Sequence, residues 1–77
     1  MKQTLADLKS GHRAVIAGFS ESGPLVQRMM QLGLIEGSEV EVIRRAPTGD
    51  PIEIRVLGYS LSLRRSEAKT ILLDDSR

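Results

Sequence analysis

Glycine and proline interrupt this chain so often that long regular elements are excluded. Gly11, Gly18, Gly23-Pro24, Gly33, Gly37, Pro47, Gly49, Pro51 and Gly58 leave only short apolar runs between them. Helix interiors tolerate neither residue well, and short runs between turn residues are the pattern of a small all-β protein. The chain has 77 residues, and one domain spanning 1–77 is expected. A chain this small buries only about 60% of its unfolded surface, so a deep catalytic pocket would cost much of its stability. No apolar run approaches the roughly 20 residues of a membrane span. The start, Met1 to Leu5, lacks the apolar stretch of a secretory signal, and a cytoplasmic protein is expected.

Local patterns predict five strands. Thr4 caps a single turn holding Leu5 and Leu8. His12 to Phe19 reads as a strand with Ala14, Ile16 and Gly18 on one face and Val15, Ala17 and Phe19 on the other; Gly18 invites a bend. Pro24 to Leu32 is the one convincing helix, with Pro24 in its first turn and Gly33 just past its end. Leu34 to Gly37 forms a turn. Glu39 to Arg45 alternates, with Val40 and Val42 inward. Ala46 to Pro51 is a wide hairpin loop in which Pro47, Gly49, Asp50 and Pro51 shape the tip. Ile52, Ile54 and Val56 alternate with polar residues, as do Leu61 and Leu63. A Gly58-Tyr59 turn of type II′ would set Val56 opposite Leu61, Ile54 opposite Leu63 and Glu53 opposite Arg64. Ser66 starts a helical turn, Thr70 to Leu73 forms the last strand, and Asp74 to Arg77 is a polar tail. Five short strands are too few for a sandwich, so the expected fold is mainly all-β: a small, strongly bent barrel. One short helix follows the first strand, and one-turn helices lie near both ends.

Chemistry-bearing residues are sparse. The chain has no Cys and a single His, so thiolate sites and sites needing two imidazoles are excluded. His12 stands alone at a strand start. Asp74 and Asp75 sit in the tail without the preorganised oxygen cage that a hard cation needs. No Ser has an activating His, and no glycine pattern matches a phosphate-binding loop. No catalytic residue, metal ligand or cofactor is assigned. Net charge is +1 and the only aromatics are Phe19 and Tyr59, which disfavours nucleic-acid binding by base stacking or bulk charge. Residues 44–65 carry five arginines against Asp50 and Glu53, a local net of +3. Strand alternation places Arg45, Arg55 and Arg64 on one face, muted by Glu53. That face supports a second reading, a small RNA-binding barrel; a weak metal-responsive domain is a third.

The order and spacing of several segments resemble the ferrous iron transport protein A (FeoA) family. They are Leu5-Ala6-Asp7-Leu8-Lys9-Ser10-Gly11, Leu32-Gly33-Leu34-Ile35-Glu36-Gly37, Ala46-Pro47-Thr48-Gly49-Asp50-Pro51-Ile52, and Leu61-Ser62-Leu63-Arg64 with Glu67-Ala68. The resemblance runs from about Leu5 to Leu73. It implies an SH3-like barrel and a non-enzymatic, cytoplasmic accessory of bacterial ferrous iron uptake. The implied partner is the FeoB membrane permease, through its cytoplasmic GTPase part, which would make the chain peripheral to the membrane. Related domains end some metal-dependent repressors, but the initial Met and the lack of a DNA-binding segment suggest the stand-alone form. The aromatic-lined groove with which SH3 domains bind Pro-rich peptides is not expected with two aromatics.

The helix carries more apolar residues than one narrow stripe can bury. Leu25, Met29 and Leu32 fall within about 60° of one another and are the expected core stripe. Val26 and Met30 form a second stripe, expected to stay partly exposed with Arg28 and Gln31 beside it. Val26, Arg28, Met30 and Gln31 are therefore the candidate partner-binding residues. The turn residues Gly33, Gly37, Pro47, Gly49, Asp50, Pro51 and Gly58 have a structural role only.

Overall fold

The computed structural model describes residues 3–74; of the polar tail, Asp75, Ser76 and Arg77 lie outside the described residues. Six strands form: β1 (Gln3–Thr4), β2 (Arg13–Phe19), β3 (Glu39–Arg45), β4 (Ile52–Val56), β5 (Tyr59–Leu63) and β6 (Ile71–Leu73). A 3-10 turn spans Leu5–Asp7, helix α1 spans Pro24–Gln31, and helix α2 spans Arg65–Ala68. The strands pair in the order β1-β6-β2-β3-β4-β5, antiparallel at every step. The mainly-β class and the helix after the first long strand agree with the pattern reading. The sixth strand is an addition. Gln3 and Thr4 pair with Leu73 and Leu72, a run too short to show any alternation in sequence.

The two one-turn helices use the same device. Their third residue is acidic and reaches back to the cap: the Thr4 N–H donates to Asp7 Oδ2 at 3.1 Å, and the Arg64 N–H donates to Glu67 Oε1 at 2.8 Å. Each contact satisfies a backbone donor that helix geometry leaves orphaned. Glu67 thereby starts α2 at Arg65, one residue before the expected Ser66, with Arg64 as the cap. α2 packs against the Leu5–Asp7 turn. Since the turn follows β1 and α2 follows β5, this contact joins the chain segments beside the two ends of the sheet.

The β4–β5 hairpin departs from the expected register. Leu57 (φ 52°) and Gly58 (φ 83°) both take positive φ, which is a type I′ geometry centred one residue earlier than Gly58-Tyr59. Ile52 therefore faces Leu63, Ile54 faces Leu61 and Val56 faces Tyr59. The correction is a slip of two residues, so each side chain keeps its face. In the expected register Arg65 would sit opposite the buried Ile52. The observed one places Leu63 there, and apolar burial decides between them.

A second irregularity re-aims β3. The pairing with β4 shifts between Val42 and Arg44, so that Arg44 faces Glu53 and Arg45 faces Ile52. Such a bulge gives one strand an extra residue and reverses the alternation beyond it. Below the sheet, Leu5, Ile16, Leu34, Val40, Val42, Ile54, Ile71 and Leu73 form one contiguous core, with Phe19 and Leu61 packed against it. Gly18 sits where the β2–β6 register shifts, at the expected bend. The hairpin tip is tied down from three directions: Gly49 N–H donates to Ala46 O at 2.7 Å, Ala46 N–H to Pro51 O at 3.1 Å, and Arg65 N–H to Asp50 Oδ1 at 2.9 Å.

Candidate docking surface around helix α1

Helix α1 is eight residues long, too short to persist without packing. Gly23 caps it and Pro24 occupies its first turn, where the missing N–H costs nothing. Its C-terminus closes as a Schellman motif. The Gly33 N–H donates to Met30 O at 3.0 Å, and the Leu34 N–H donates to Met29 O at 3.1 Å. Gly33 supplies the required left-handed conformation at φ 100°. The motif brings the residue two past the cap onto the third from the end. Those residues are Leu34 and Met29, and both are buried.

That contact sets the helix's rotation. Val26 (4% exposed) and Met29 (2%) face the core, while Leu25 (37%), Leu32 (40%) and Met30 (44%) do not. The expected core stripe of Leu25, Met29 and Leu32 is thus corrected: only Met29 belongs to it. Val26, expected on the partner surface, is a core residue. At about 100° per residue the apolar arc of α1 spans roughly 160°, and the sheet covers only its middle. Both flanks remain exposed, with Arg28 and Gln31 exposed on the solvent side between them.

On one flank Leu25 and Leu32 lie one above the other. The Tyr59 hydroxyl donates to the Leu32 carbonyl, and Leu57 packs over Gly33. Leu57 and Tyr59 are exposed large hydrophobics themselves, so the I′ turn and the helix end make one apolar surface. On the other flank Met30 and Val26 line a groove of about 410 Å3 with Gly18, Phe19, Glu21, Ser22, Gly23, Gln27 and Glu36. Sequence reasoning placed Phe19 in a strand and Glu36 in a turn, and gave neither a surface role. The signal that locates both flanks is the Gly33 motif, which fixes Met29 and Leu34 inward and turns Leu25, Leu32 and Met30 outward.

The expected turn residues sit in turns: Gly37 (φ 92°) follows α1, and Pro47, Gly49, Asp50 and Pro51 form the β3–β4 loop. The expected arginine face does not assemble. Arg45 turns inward at the sheet's end, where Nη2 donates to Ala6 O at 2.7 Å and also to Leu8 O. Arg44 takes its place and binds Glu53 through Nε at 2.8 Å, while Arg55 lies 3.8 Å from Glu41. His12 is exposed and lines a shallow cavity with Asp7, Lys9, Arg13 and Asp74. Among the described residues no three of His, Cys, Asp and Glu are grouped to hold a metal. Among them no helix is long and apolar enough to cross a membrane.

Comparison with known proteins fits this geometry. The FeoA domain family model matches residues 3–75. A fusion protein of Fe(2+) transport protein A and Fe(2+) transporter FeoB from Porphyromonas gingivalis is 34% identical over 67 residues, covering 87% of this chain and 8% of the fusion. The chain thus spans less than a tenth of that relative. The solution structure of a FeoA-like protein from Clostridium acetobutylicum superposes with a TM-score of 0.87 at 36% identity, covering 95% of this chain and 85% of that one. FeoA from Stenotrophomonas maltophilia, solved with zinc, gives a TM-score of 0.83 at 29% identity and covers 94% and 89%. That protein is described as a prokaryotic SH3 domain protein and a candidate activating factor for ferrous iron transport. The curled six-stranded sheet is therefore an SH3-like fold, and the chain belongs to the FeoA domain family.

Proposed function

We propose that this protein is a cytoplasmic accessory of bacterial ferrous iron uptake that regulates a FeoB-type permease by binding its cytoplasmic GTPase part. It acts by contact and not by catalysis. The observation that carries the reading is the relative in which a matching segment is fused to an Fe(2+) transporter. Fusion keeps two partners at high effective concentration, and the FeoA-like segment meets its partner through its own surface. Helix α1 offers that surface. Met30 is exposed on one flank and Leu25 and Leu32 on the other, with the polar Arg28 and Gln31 on the solvent side between them. Exposed apolar side chains rimmed by polar ones suit a modest protein interface, and Met adapts its shape to a partner at little cost. Val26 supports the surface from below.

The test is co-purification of the immobilised protein with the isolated cytoplasmic part of a FeoB-type permease. Stoichiometric retention at moderate salt is the expected result. Absence of retention in every nucleotide state of the GTPase would overturn the reading.

A further inference from the structure

The groove beside Met30 has a chemistry distinct from the rest of the molecule. Its lining is apolar at Phe19, Val26 and Met30 and acidic at Glu21 and Glu36. Among the described residues that line it there is no Lys or Arg, although the chain as a whole has net charge +1. Two glycines, Gly18 and Gly23, also line it. A Cβ at either would meet nothing within 4 Å, so the groove wall is open backbone there. An apolar groove lined by two carboxylates and no cation discriminates by charge. It attracts a cationic apolar ligand and repels an anionic one, at distances where exposed charges still interact.

We infer that this groove binds a short cationic, apolar segment of a partner protein. One or two Leu- or Phe-sized side chains lie against Phe19 and Met30, and flanking Lys or Arg side chains pair with Glu21 and Glu36. The inference rests on the reading of α1 as a docking element and specifies which flank is used and what it recognises. The Leu25–Leu32 flank lacks this charge pattern: Leu57 and Tyr59 beside it are uncharged, and the exposed charge on that side of the helix is the cationic Arg28.

The test uses two end-blocked ten-residue peptides, one alternating Lys with Leu and the other Glu with Leu, titrated into the full chain with amide chemical shifts as readout. The Lys peptide is expected to move Phe19, Glu21, Gln27, Met30 and Glu36, and the Glu peptide is not. Glu21→Lys with Glu36→Lys should weaken the Lys peptide by about fivefold or more, whereas Leu57→Ser should not. Equal binding of the two peptides overturns the inference, as does a footprint elsewhere. Groove shifts that depend on the protein's own concentration without peptide would assign the groove to a second copy, also against it. The same variants are then tested against the permease's cytoplasmic part. Peptide binding without permease binding defeats the parent reading alone. Permease binding indifferent to the double charge reversal defeats only this inference.

Discussion

A methyl group at Gly33 would lie 2.5 Å from Cδ1 of Leu57, with the Tyr59 hydroxyl at 3.5 Å. The end of the helix and the tip of the β4–β5 hairpin therefore meet across a residue that has no side chain. The contact explains why α1 can sit so close to the sheet, and it makes the hairpin turn part of the helix's C-terminal cap.

Gly33→Ala should destabilise the fold by about 1–3 kcal/mol: a left-handed φ costs an Ala about 1–2 kcal/mol, and the exposed Leu57 side chain must move aside at a smaller further cost. Gly37→Ala has comparable φ but nothing within 4 Å, so it should show the conformational cost alone. Urea unfolding of both variants checks the difference. A double-mutant cycle with Leu57→Ala should recover the excess at Gly33.

Leu57→Asn should stabilise the protein by about 1 kcal/mol. Leu57 occupies a positive-φ position (φ 52°) and is 67% exposed. A non-Gly residue there carries strain, while Asn-Gly is the preferred pair for a type I′ turn. Little burial is lost in exchange. A thermal midpoint at or below that of the parent protein would contradict the I′ assignment.

Arg45→Ala should cost about 1–3 kcal/mol by removing the donor to two carbonyls, Ala6 O and Leu8 O, at a half-buried site. Arg44→Ala removes only an exposed ion pair with Glu53 and should cost less than about 1 kcal/mol. Amide exchange should quicken in the segment 4–8 for the first variant and not for the second.

Much of this fold is legible in sequence, because the signals were local. Pro24 and Gly33 mark the ends of α1, and the alternation of Val40, Val42, Ile52, Ile54 and Val56 gives the inward face of β3 and β4. What was not legible depended on relations between elements. Two valid turns competed at residues 57–59, and only the need to keep Arg65 away from Ile52 separates them. The bulge after Val42 exchanged Arg44 for Arg45, a change with no local marker. The helix's rotation stood closest to being readable. With Gly33 recognised just past the helix end, the Schellman geometry already pairs Met29 with Leu34, and that pairing carries Val26 inward. Reading the apolar residues as stripes, without the cap, assigned Leu25 and Leu32 to the core.

Val26 and Met30 are four residues apart and have opposite roles, which stability measurements separate. Val26→Ser should cost about 2–3 kcal/mol through lost burial and a buried hydroxyl. Met30→Ser should stay within about 0.5 kcal/mol of the parent, as surface changes do. Equal destabilisation by both would mean that Met30 is covered within the monomer.

The proposed docking of α1 on the permease uses side chains the core does not need. Calorimetric titration of a FeoB-type permease's cytoplasmic part with Met30→Ser addresses it most directly, run beside the parent protein at matched thermal midpoints. The expected result is a variant as stable as its parent that binds at least about tenfold more weakly, a loss near 1.4 kcal/mol. A stable variant with unchanged affinity would contradict it.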